Sequence, residues 1–401
     1  MLTRQGWLFL AAGAVFIGTG RLFGRLELYV MGAAAWAVVV VAIAIVARSR
    51  LRLAVGRDLT PRRVYAGSLS KVELTLRNDG ERRTPVLRIF DPVSGTRGAD
   101  LLVAPLPPGD VARAAYRLPT AHRGIVEVGP LEVVVGDPFG LAETSTIAAP
   151  RAELTVFPHI DDIAPARHTV GDDPHAGADH PSAMGRSGDD FYALRQYVVG
   201  DDLRKVHWPS TARRDELMVR QDELPWQGRV TVLLDVRRSA HTADSLELAV
   251  SAAASIITAS WKRRDLVRLL TTDGTDFGFA AGTGHTEAIM EHLAVVPACA
   301  EGSLRGSIES LSVGGQTGAL IVVAAAVAAN DLALLSGLRS RFAHATVVLF
   351  DASSWDAAAP AGPATAGTAL LRVTGSVPFP DAWNRAMHTG GRAMTGAGGR
   401  R

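Results

Sequence analysis

The chain has 401 residues, which is enough for two or three domains of ordinary size. Its 42 Lys/Arg and 40 Asp/Glu residues give a formal net charge of +2, so its overall charge does not favour a polyanionic partner such as nucleic acid. The single cysteine, Cys299, excludes an intramolecular disulfide and suits a reducing compartment.

Two uncharged apolar runs lie near the start of the chain, at residues 6–20 and 28–47. The second has the ~20 residues that a helix needs to cross a hydrocarbon core, and the first reaches that length with its flanks Leu22 and Phe23. A cleaved secretory signal is the alternative for the first run, but no small-x-small cleavage site precedes the second. We therefore predict a transmembrane helical hairpin over residues 1–50.

The arginines around this hairpin predict its orientation. Those beyond its two ends are Arg4, Arg48, Arg50, Arg52 and Arg57. The connecting loop has only Arg21 and Arg25, partly offset by Glu27. Because positive residues favour the cytoplasmic side, we predict a multi-pass membrane protein with both ends, and the bulk of the chain, in the cytoplasm.

Residues 51–160 show the alternation of β-strands. Val72–Arg77 alternates between apolar and polar residues and stops at the turn Asn78-Asp79-Gly80. Further short strands are expected at 86–90, 111–118, 124–128 and 131–135. Strands at this spacing are typical of an all-β, immunoglobulin-like sandwich, and no residue pattern in the region indicates catalysis.

Residues 161–228 are predicted to be a linker followed by a charged segment. Histidines at 168, 175 and 180 lie among acidic residues, so zinc or manganese binding is one hypothesis. Their irregular spacing and the lack of an apolar frame favour a solvated linker instead. Residues 185–223 contain seven Lys/Arg and eight Asp/Glu, interleaved with aromatic residues. Such balanced charge suits pairing within the chain or with one partner surface, and no nucleic acid is expected.

Residues 229–389 alternate between strand and helix patterns. Val230–Asp235 is nearly all apolar, as in a strand covered on both faces, and Ser245–Lys262 has helical apolar spacing. Alternation of this kind predicts an α/β domain with a mostly parallel sheet between helices. The Gly-rich tail, 390–401, is predicted to be disordered.

This order of segments resembles the DUF58 family (domain of unknown function 58). The likeness is carried by the hallmark residues Phe191, Arg195, Tyr197, Gly200, Asp201, Asp202, Arg204, His207, Trp208, Ala212 and Arg213. A second match is Asp137-Pro138-Phe139-Gly140-Leu141, with a later Phe157-Pro158. The resemblance implies a protein of the bacterial inner (cell) membrane with a β-rich segment and a von Willebrand factor A-like domain. It also implies, as partners, a MoxR-type AAA+ ATPase and other membrane proteins, while no biochemical activity is established for the family.

A metal site of the von Willebrand factor A type would need Asp-x-Ser-x-Ser after the first strand, so that one carboxylate and two hydroxyls meet a hard cation. This chain has Asp235-Val236-Arg237-Arg238-Ser239, which puts Arg237 where the first hydroxyl should be. We therefore predict a degenerate site without metal, in which Arg237 pairs with Asp235 or takes the place of the cation.

Three interpretations of the hallmark residues remain open: an internal network that docks the linker, a partner-docking surface, and an active site. No nucleophile with an adjacent base is apparent beyond Ser210 and Thr211 near His207, so neither catalytic residues nor a cofactor are predicted. We expect a non-enzymatic, membrane-anchored scaffold or adaptor. The alternatives are a divalent-metal-dependent binding module using Asp235 and Asp273, and a hydrolase centred on His207, Asp201 and Asp202.

Overall fold

The computed structural model describes residues 2–48, 52–167, 191–197, 206–214, 216–222, 228–312, 318–338, 341–354, 356 and 369–389. The predicted tail at 390–401 and the linker histidines at 168, 175 and 180 lie outside these residues. The chain divides into two compact units, Met1–His159 with Met290–Val295 and Ile160–Ile289 with Val296–Arg401.

Two apolar helices begin the first unit, α1 (Arg4–Phe23) and α2 (Leu26–Arg48). Both are long and apolar enough to cross a membrane, and most of their residues are exposed. The helices approach each other at small residues. A β-carbon on Gly13 would lie 2.5 Å from the Trp36 ring, and one on Gly32 would lie 2.6 Å from Ile17. Close packing through small residues is typical of helices that meet within a bilayer.

The rest of the first unit is β-rich, as the alternation predicts. Its strands are β1 (Leu53–Thr60), β2 (Arg63–Tyr65), β3 (Lys71–Asn78), β4 (Leu87–Asp91), β5 (Ala99–Val103), β6 (Val111–Arg117), β7 (Gly124–Val128), β8 (Leu131–Gly136), β9 (Glu143–Ala149) and β10 (Ala152–Phe157). They form the sheets β1-β3-β6, β5-β4-β8-β9 and β2-β10-β7. All pairings are antiparallel except β10 with β2. Alternate side chains of these strands, such as Val72, Leu74 and Leu76 of β3, share one apolar core.

A charged cluster lies inside this β-rich region. Arg57 Nη1 is 2.9 Å from Asp91 Oδ1, and the two side chains are 4% and 0% exposed. The Tyr116 hydroxyl donates to Asp91 Oδ2 at 2.6 Å. Burial and the neighbouring carboxylate raise the pKa of Tyr116, which therefore stays protonated and keeps this donor.

The second unit contains a small hairpin and a parallel α/β fold. Its elements are β11 (Phe191–Gln196), α3 (Trp208–Arg214), β12 (Met218–Asp222), β13 (Arg229–Leu234), α4 (Ala243–Lys262), β14 (Leu266–Thr271), α5 (Thr283–Val295), α6 (Leu304–Ser312), β15 (Ala319–Ala324), α7 (Ala329–Gly337), β16 (His344–Phe350), β17 (Ala369–Val373) and α8 (Phe379–Thr389). The last residues of α5 fall in the first unit.

The sheet of this fold has the order β14-β13-β15-β16-β17, with every neighbouring pair parallel. This confirms the predicted parallel sheet with helices. Residues of α6 and α7 share a core with Leu233, Val322 and Val347. Because side chains alternate along a strand, Val232 and Leu234 point to the opposite face, and α4 packs against β13 and its neighbours. The first strand of this sheet, β13, lies inside it: β14 is added on one side of β13, and β15, β16 and β17 follow on the other. The topological switch point therefore lies between β13 and β15.

Residues 160–167 lie against α8, whereas the sequence suggested a solvated linker from residue 161 onwards. The indole N–H of Trp383 donates to the Ala164 carbonyl at 2.7 Å, and Ala164 N–H donates to Asn384 Oδ1 at 2.7 Å. Arg167 Nη2 donates to the Ala386 carbonyl at 2.7 Å and also to that of Met387. The last carbonyls of a helix have no hydrogen-bond donors within the helix. At the end of α8 the Arg167 guanidinium is the donor to two of these carbonyls.

Candidate functional site

The first candidate site lies at the carboxyl end of β13. Asp235 follows this strand, is fully buried, and donates its N–H to the Val323 carbonyl of β15 at 2.8 Å. Its Oδ1 accepts from Arg237 Nε at 2.9 Å and from the Thr272 hydroxyl at 3.2 Å, while its Oδ2 accepts from Arg237 Nη2 at 2.8 Å. The carboxylate is thus held by a bidentate guanidinium contact, the strongest geometry for this kind of pair.

Arg237 also reaches across the switch point. Its Nη2 donates to the carbonyl of Ala326, just beyond β15, at 3.1 Å. The hydrogen bond to Asp235 raises the pKa of Arg237, so the guanidinium remains charged. Parallel sheets of this kind bind ligands in the crevice outside the strand ends at the switch point. In this protein a side chain of the chain itself lies in that crevice.

The other residues considered for a metal site do not join Asp235. Asp273 Oδ1 accepts from the Thr271 hydroxyl and from Thr275 N–H, the latter at 3.0 Å. These contacts of the carboxylate are local ones, within the turn that follows β14. Ser239 is exposed. Within the described ranges, no group of three His, Cys, Asp or Glu side chains is placed to hold a metal ion. The guanidinium of Arg237 therefore neutralises the carboxylate that the cation would need.

The second candidate site is the hallmark hairpin. Strand β11 pairs antiparallel with β12, and α3 lies between them in the chain. Phe191 and Arg195 lie in β11, whereas Gly200, Asp201, Asp202 and Arg204 lie outside the described residues. Tyr197 N–H donates to the Leu217 carbonyl and His207 N–H to the Met218 carbonyl, both at 2.8 Å. The hairpin thus joins the first and last parts of the hallmark segment.

His207 directly precedes α3. Its carbonyl accepts from Ser210 N–H and from the Thr211 hydroxyl, both at 3.1 Å, and the Thr211 hydroxyl in turn accepts from Met218 N–H at 3.1 Å. His207 Nδ1 lies 2.8 Å from Ser210 Oγ. This Ser/His contact joins residues three apart in the first turn of a helix, where side chains commonly supply the missing backbone partners.

The hairpin has a buried and an exposed side. Val206 and Met218 are buried, whereas the Trp208 side chain is 67% exposed. Ala212 and Arg213 are also exposed. A tryptophan and an arginine on one short helix are the residue types most enriched at the centre of protein interfaces. The described part of the hallmark is therefore partly internal and partly open to a partner.

Sequence reasoning missed two features of these sites. The pairing of β11 with β12 is one of them, although Met218 and Val219 at the start of β12 are apolar residues that suit a strand. The contact of Arg237 with the Ala326 carbonyl is also not visible in the sequence, because it depends on the order of strands in the sheet.

Comparisons with known proteins give one family. Residues 193–354 match the model of the family described as "Protein of unknown function DUF58". No curated protein matches the chain. Among solved structures, a CARDB domain from Pyrococcus furiosus is similar at 18% identity over 27% of this chain and 93% of its own, with a TM-score of 0.21. A β-glucosidase from Listeria innocua is similar at 13% identity over 25% of this chain and 16% of its own, with a TM-score of 0.17. Scores this low support no inference about function.

Proposed function

We propose, from the match of residues 193–354 to the DUF58 family model, that the chain is a membrane-anchored, non-enzymatic scaffold or adaptor. Its partner in this proposal is a MoxR-type AAA+ ATPase, with a role in the assembly or maturation of envelope-related complexes. The β-rich region is proposed to be an immunoglobulin-like sandwich, and the α/β fold a von Willebrand factor A-like domain.

The observation that carries the proposal is the exposed apolar surface of the two N-terminal helices. Leu8, Val15, Leu22 and Val40 are among the large apolar side chains that α1 and α2 expose. An apolar surface of this length is unfavourable in water and suits a hydrocarbon core. Arg4 and Arg48 at the outer ends of the helices favour an orientation with both ends in the cytoplasm.

The exposed side of the hallmark hairpin supports a docking role. Trp208 offers a large apolar area that loses little side-chain entropy on binding, and Arg213 adds a charged donor on the same helix. The switch-point crevice supports binding without metal, because Arg237 is paired with Asp235 there. We propose that the ATPase contacts α3 through these two side chains.

A crosslinked pull-down from membranes tests this proposal. Full-length wild type is compared with Trp208→Ala and Arg213→Ala, and the AAA+ ATPase is identified by mass spectrometry. The matched control is Arg305→Ala, which removes an exposed helical arginine from α6. We expect at least a tenfold loss of captured ATPase for Trp208→Ala, a smaller loss for Arg213→Ala and none for the control.

Two results would contradict the proposal. If both hallmark variants captured as much ATPase as the wild type, α3 would not be the docking surface. Loss of folding in these variants, measured by thermal melting, would make the hallmark an internal clasp and move the partner site elsewhere. The anchoring itself is tested by alkaline carbonate extraction, in which we expect the chain to stay with the membrane pellet.

The divalent-metal-dependent binding module is the second candidate. The place of Asp235 at the end of the first strand favours it, and the guanidinium of Arg237 on the same carboxylate opposes it. Titration with Mg²⁺ or Mn²⁺ separates the two candidates, because only the metal-dependent module would be stabilised by the cation.

A further inference from the structure

The turn Asp137–Leu141 is held in one conformation by its own aspartate. Asp137 Oδ1 accepts from Phe139 N–H at 2.7 Å, and Oδ2 accepts from Ala142 N–H at 2.5 Å. Gly140 has a φ of +70°, a left-handed conformation that glycine adopts without a steric penalty. The backbone of the turn is thereby fixed, and with it the direction of Phe139.

This turn is attached to the start of α1. The Thr3 hydroxyl donates to the Gly140 carbonyl at 2.6 Å, and Thr3 N–H donates to the Leu141 carbonyl at 2.9 Å. A β-carbon on Gly6 would lie 2.1 Å from the Leu141 carbonyl oxygen, so only glycine permits this approach. Leu141 and Ala142 also share an apolar cluster with Val39, Ala42 and Val46 of α2. The turn therefore sits at a fixed place on the outer end of the helical hairpin.

Phe139 is 59% exposed at this place. It lines a groove of about 640 Å³ together with Gln5, Leu8, Phe9, Val38 and Leu141. Leu8 and Phe9 are four and five residues into α1, roughly 6–7.5 Å along the helix axis from Arg4. Phe139 thus lies at the level of the exposed apolar side chains of α1, and the groove is continuous with the apolar surface that we assign to the bilayer.

Positive charge borders the same end of the hairpin. Arg4 is the first residue of α1 and Arg48 is the last residue of α2, and both are exposed. Because the two helices form an antiparallel hairpin, these arginines lie at the end that carries the turn. Arg4 is about one helical turn from Leu8 of the groove, and Arg48 ends the helix that contributes Val38. An apolar groove with guanidinium groups farther out at the same end of the hairpin matches an amphipathic anion with a hydrocarbon chain and a phosphate.

We propose that this groove binds a membrane phospholipid, with its acyl chain against Phe139, Leu8 and Phe9 and its anionic headgroup at Arg4 and Arg48. The inference rests on the membrane anchoring proposed above. It adds that the β-rich region itself contacts the bilayer through Phe139, at the position set by the Asp137 turn.

Site-directed fluorescence quenching tests this proposal on the full-length chain. In a Cys299→Ser background, Phe139→Cys is labelled with an environment-sensitive fluorophore and reconstituted into phosphatidylcholine vesicles, with or without phosphatidylglycerol. Val15→Cys in α1 reports insertion of the hairpin, and Leu102→Cys in β5 is the matched exposed apolar control outside the groove. We expect spin-labelled lipid to quench positions 139 and 15 at least threefold more than position 102.

The outcomes separate this inference from the anchoring on which it rests. Quenching at position 15 but not at 139 would overturn the lipid groove and leave the anchor intact. Absence of quenching at both positions would overturn both. Phosphatidylglycerol should increase quenching at position 139, and Arg4→Gln with Arg48→Gln should remove that increase. Equal quenching in both lipid mixtures would overturn the headgroup assignment.

Discussion

Among the residues that the structure describes, each unit contains an arginine–aspartate pair built on a fully buried carboxylate, and the two pairs differ in what surrounds them. In the β-rich region, Arg57 and Asp91 are 4% and 0% exposed and share the Tyr116 hydroxyl. In the α/β fold, Arg237 and Asp235 are 21% and 0% exposed. The chemistry of the pairs is the same, so their difference comes from where the fold places the arginine.

The enclosed pair can only be structural, because both carboxylate oxygens of Asp91 have partners inside the core and no solvent reaches them. The pair at the switch point is different, since Arg237 lies in the crevice where parallel sheets bind ligands. There the guanidinium of Arg237 occupies both carboxylate oxygens of Asp235 and the carbonyl of Ala326. The comparison teaches that the same ion pair can be enclosed in the core of one unit and lie at the edge of a sheet in the other.

The largest effect is expected for Asp91→Ala. This change leaves the Arg57 guanidinium buried without its counter-ion and Tyr116 without its acceptor, and breaking a buried pair costs about 3–5 kcal/mol. Hydrogen exchange of β3 and β4 amides in the detergent-solubilised chain measures the loss. The matched control is Asp100→Ala, which removes an exposed pair with Arg88 and should cost about 0–1 kcal/mol. Equal losses for the two variants would contradict the structural role of the enclosed pair.

A smaller loss is expected for Asp235→Ala. Each arginine also donates to a backbone carbonyl, Arg57 to Pro150 and Arg237 to Ala326, but Arg237 is 21% exposed and keeps access to water. We therefore expect the free energy of unfolding to fall by about 1–3 kcal/mol, the range for losing charge-assisted hydrogen bonds. Hydrogen exchange of β13 and β15 amides gives the measurement, with Glu309→Ala on exposed α6 as the control. A loss as large as that of Asp91→Ala would show that the switch-point pair is a core element too.

The response to cations sharpens the comparison further. We expect 10 mM Mg²⁺ or Mn²⁺ to leave the melting temperature of the wild type unchanged, because the guanidinium of Arg237 already neutralises Asp235. Arg237→Ser places two hydroxyls after Asp235 in the pattern Asp-x-Ser-x-Ser. We expect a cation at ten times its Kd to stabilise this variant by about 1.4 kcal/mol. Arg238→Ser, which changes an exposed neighbour, is the control. Stabilisation of the wild type by either cation would instead favour the metal-dependent module.

Local patterns in the sequence predicted the elements of this fold better than their arrangement. The length of the apolar runs predicted α1 and α2, and the alternation of strand and helix patterns predicted the parallel sheet, because both signals depend on neighbouring residues. The pairing of β11 with β12 joins segments separated by α3, so no local period indicates it. Residues 161–167 likewise contain no pattern that reveals their contacts with α8.

The candidate sites show the same limit. The sequence indicated that Arg237 stands where a hydroxyl ligand should be, but left open whether it pairs with Asp235 or replaces a cation. The answer depends on a carbonyl 89 residues away, at Ala326, which the order β13-β15 brings beside the pair. The interleaved aromatic residues of the hallmark are compatible both with side chains packed inside the protein and with side chains exposed to a partner. Only the folded hairpin distinguishes exposed Trp208 from buried Met218.

The smallest effect expected at the switch point is its dependence on pH. Burial lowers the pKa of His241, while the Asp235 carboxylate acts in the opposite direction. A histidine whose folded-state pKa is depressed destabilises the protein when it must be protonated, so stability is complete above the ordinary pKa of about 6.5 and falls as the pH drops below it. The slope for one proton is at most about 1.4 kcal/mol per pH unit.

Chemical denaturation of wild type and His241→Gln at pH 7.5 and 5.5 measures this dependence. We expect the wild type to lose more stability than the variant at the lower pH. Burial also lowers the pKa of His344, which acts with the same sign, so the variant should remove only part of the loss. Asp235→Ala with His241 retained separates burial from charge at the switch point, because His241 then titrates without the carboxylate. If the Asp235 carboxylate were the dominant influence, the pKa of His241 would be raised and its substitution would steepen the loss of stability at low pH.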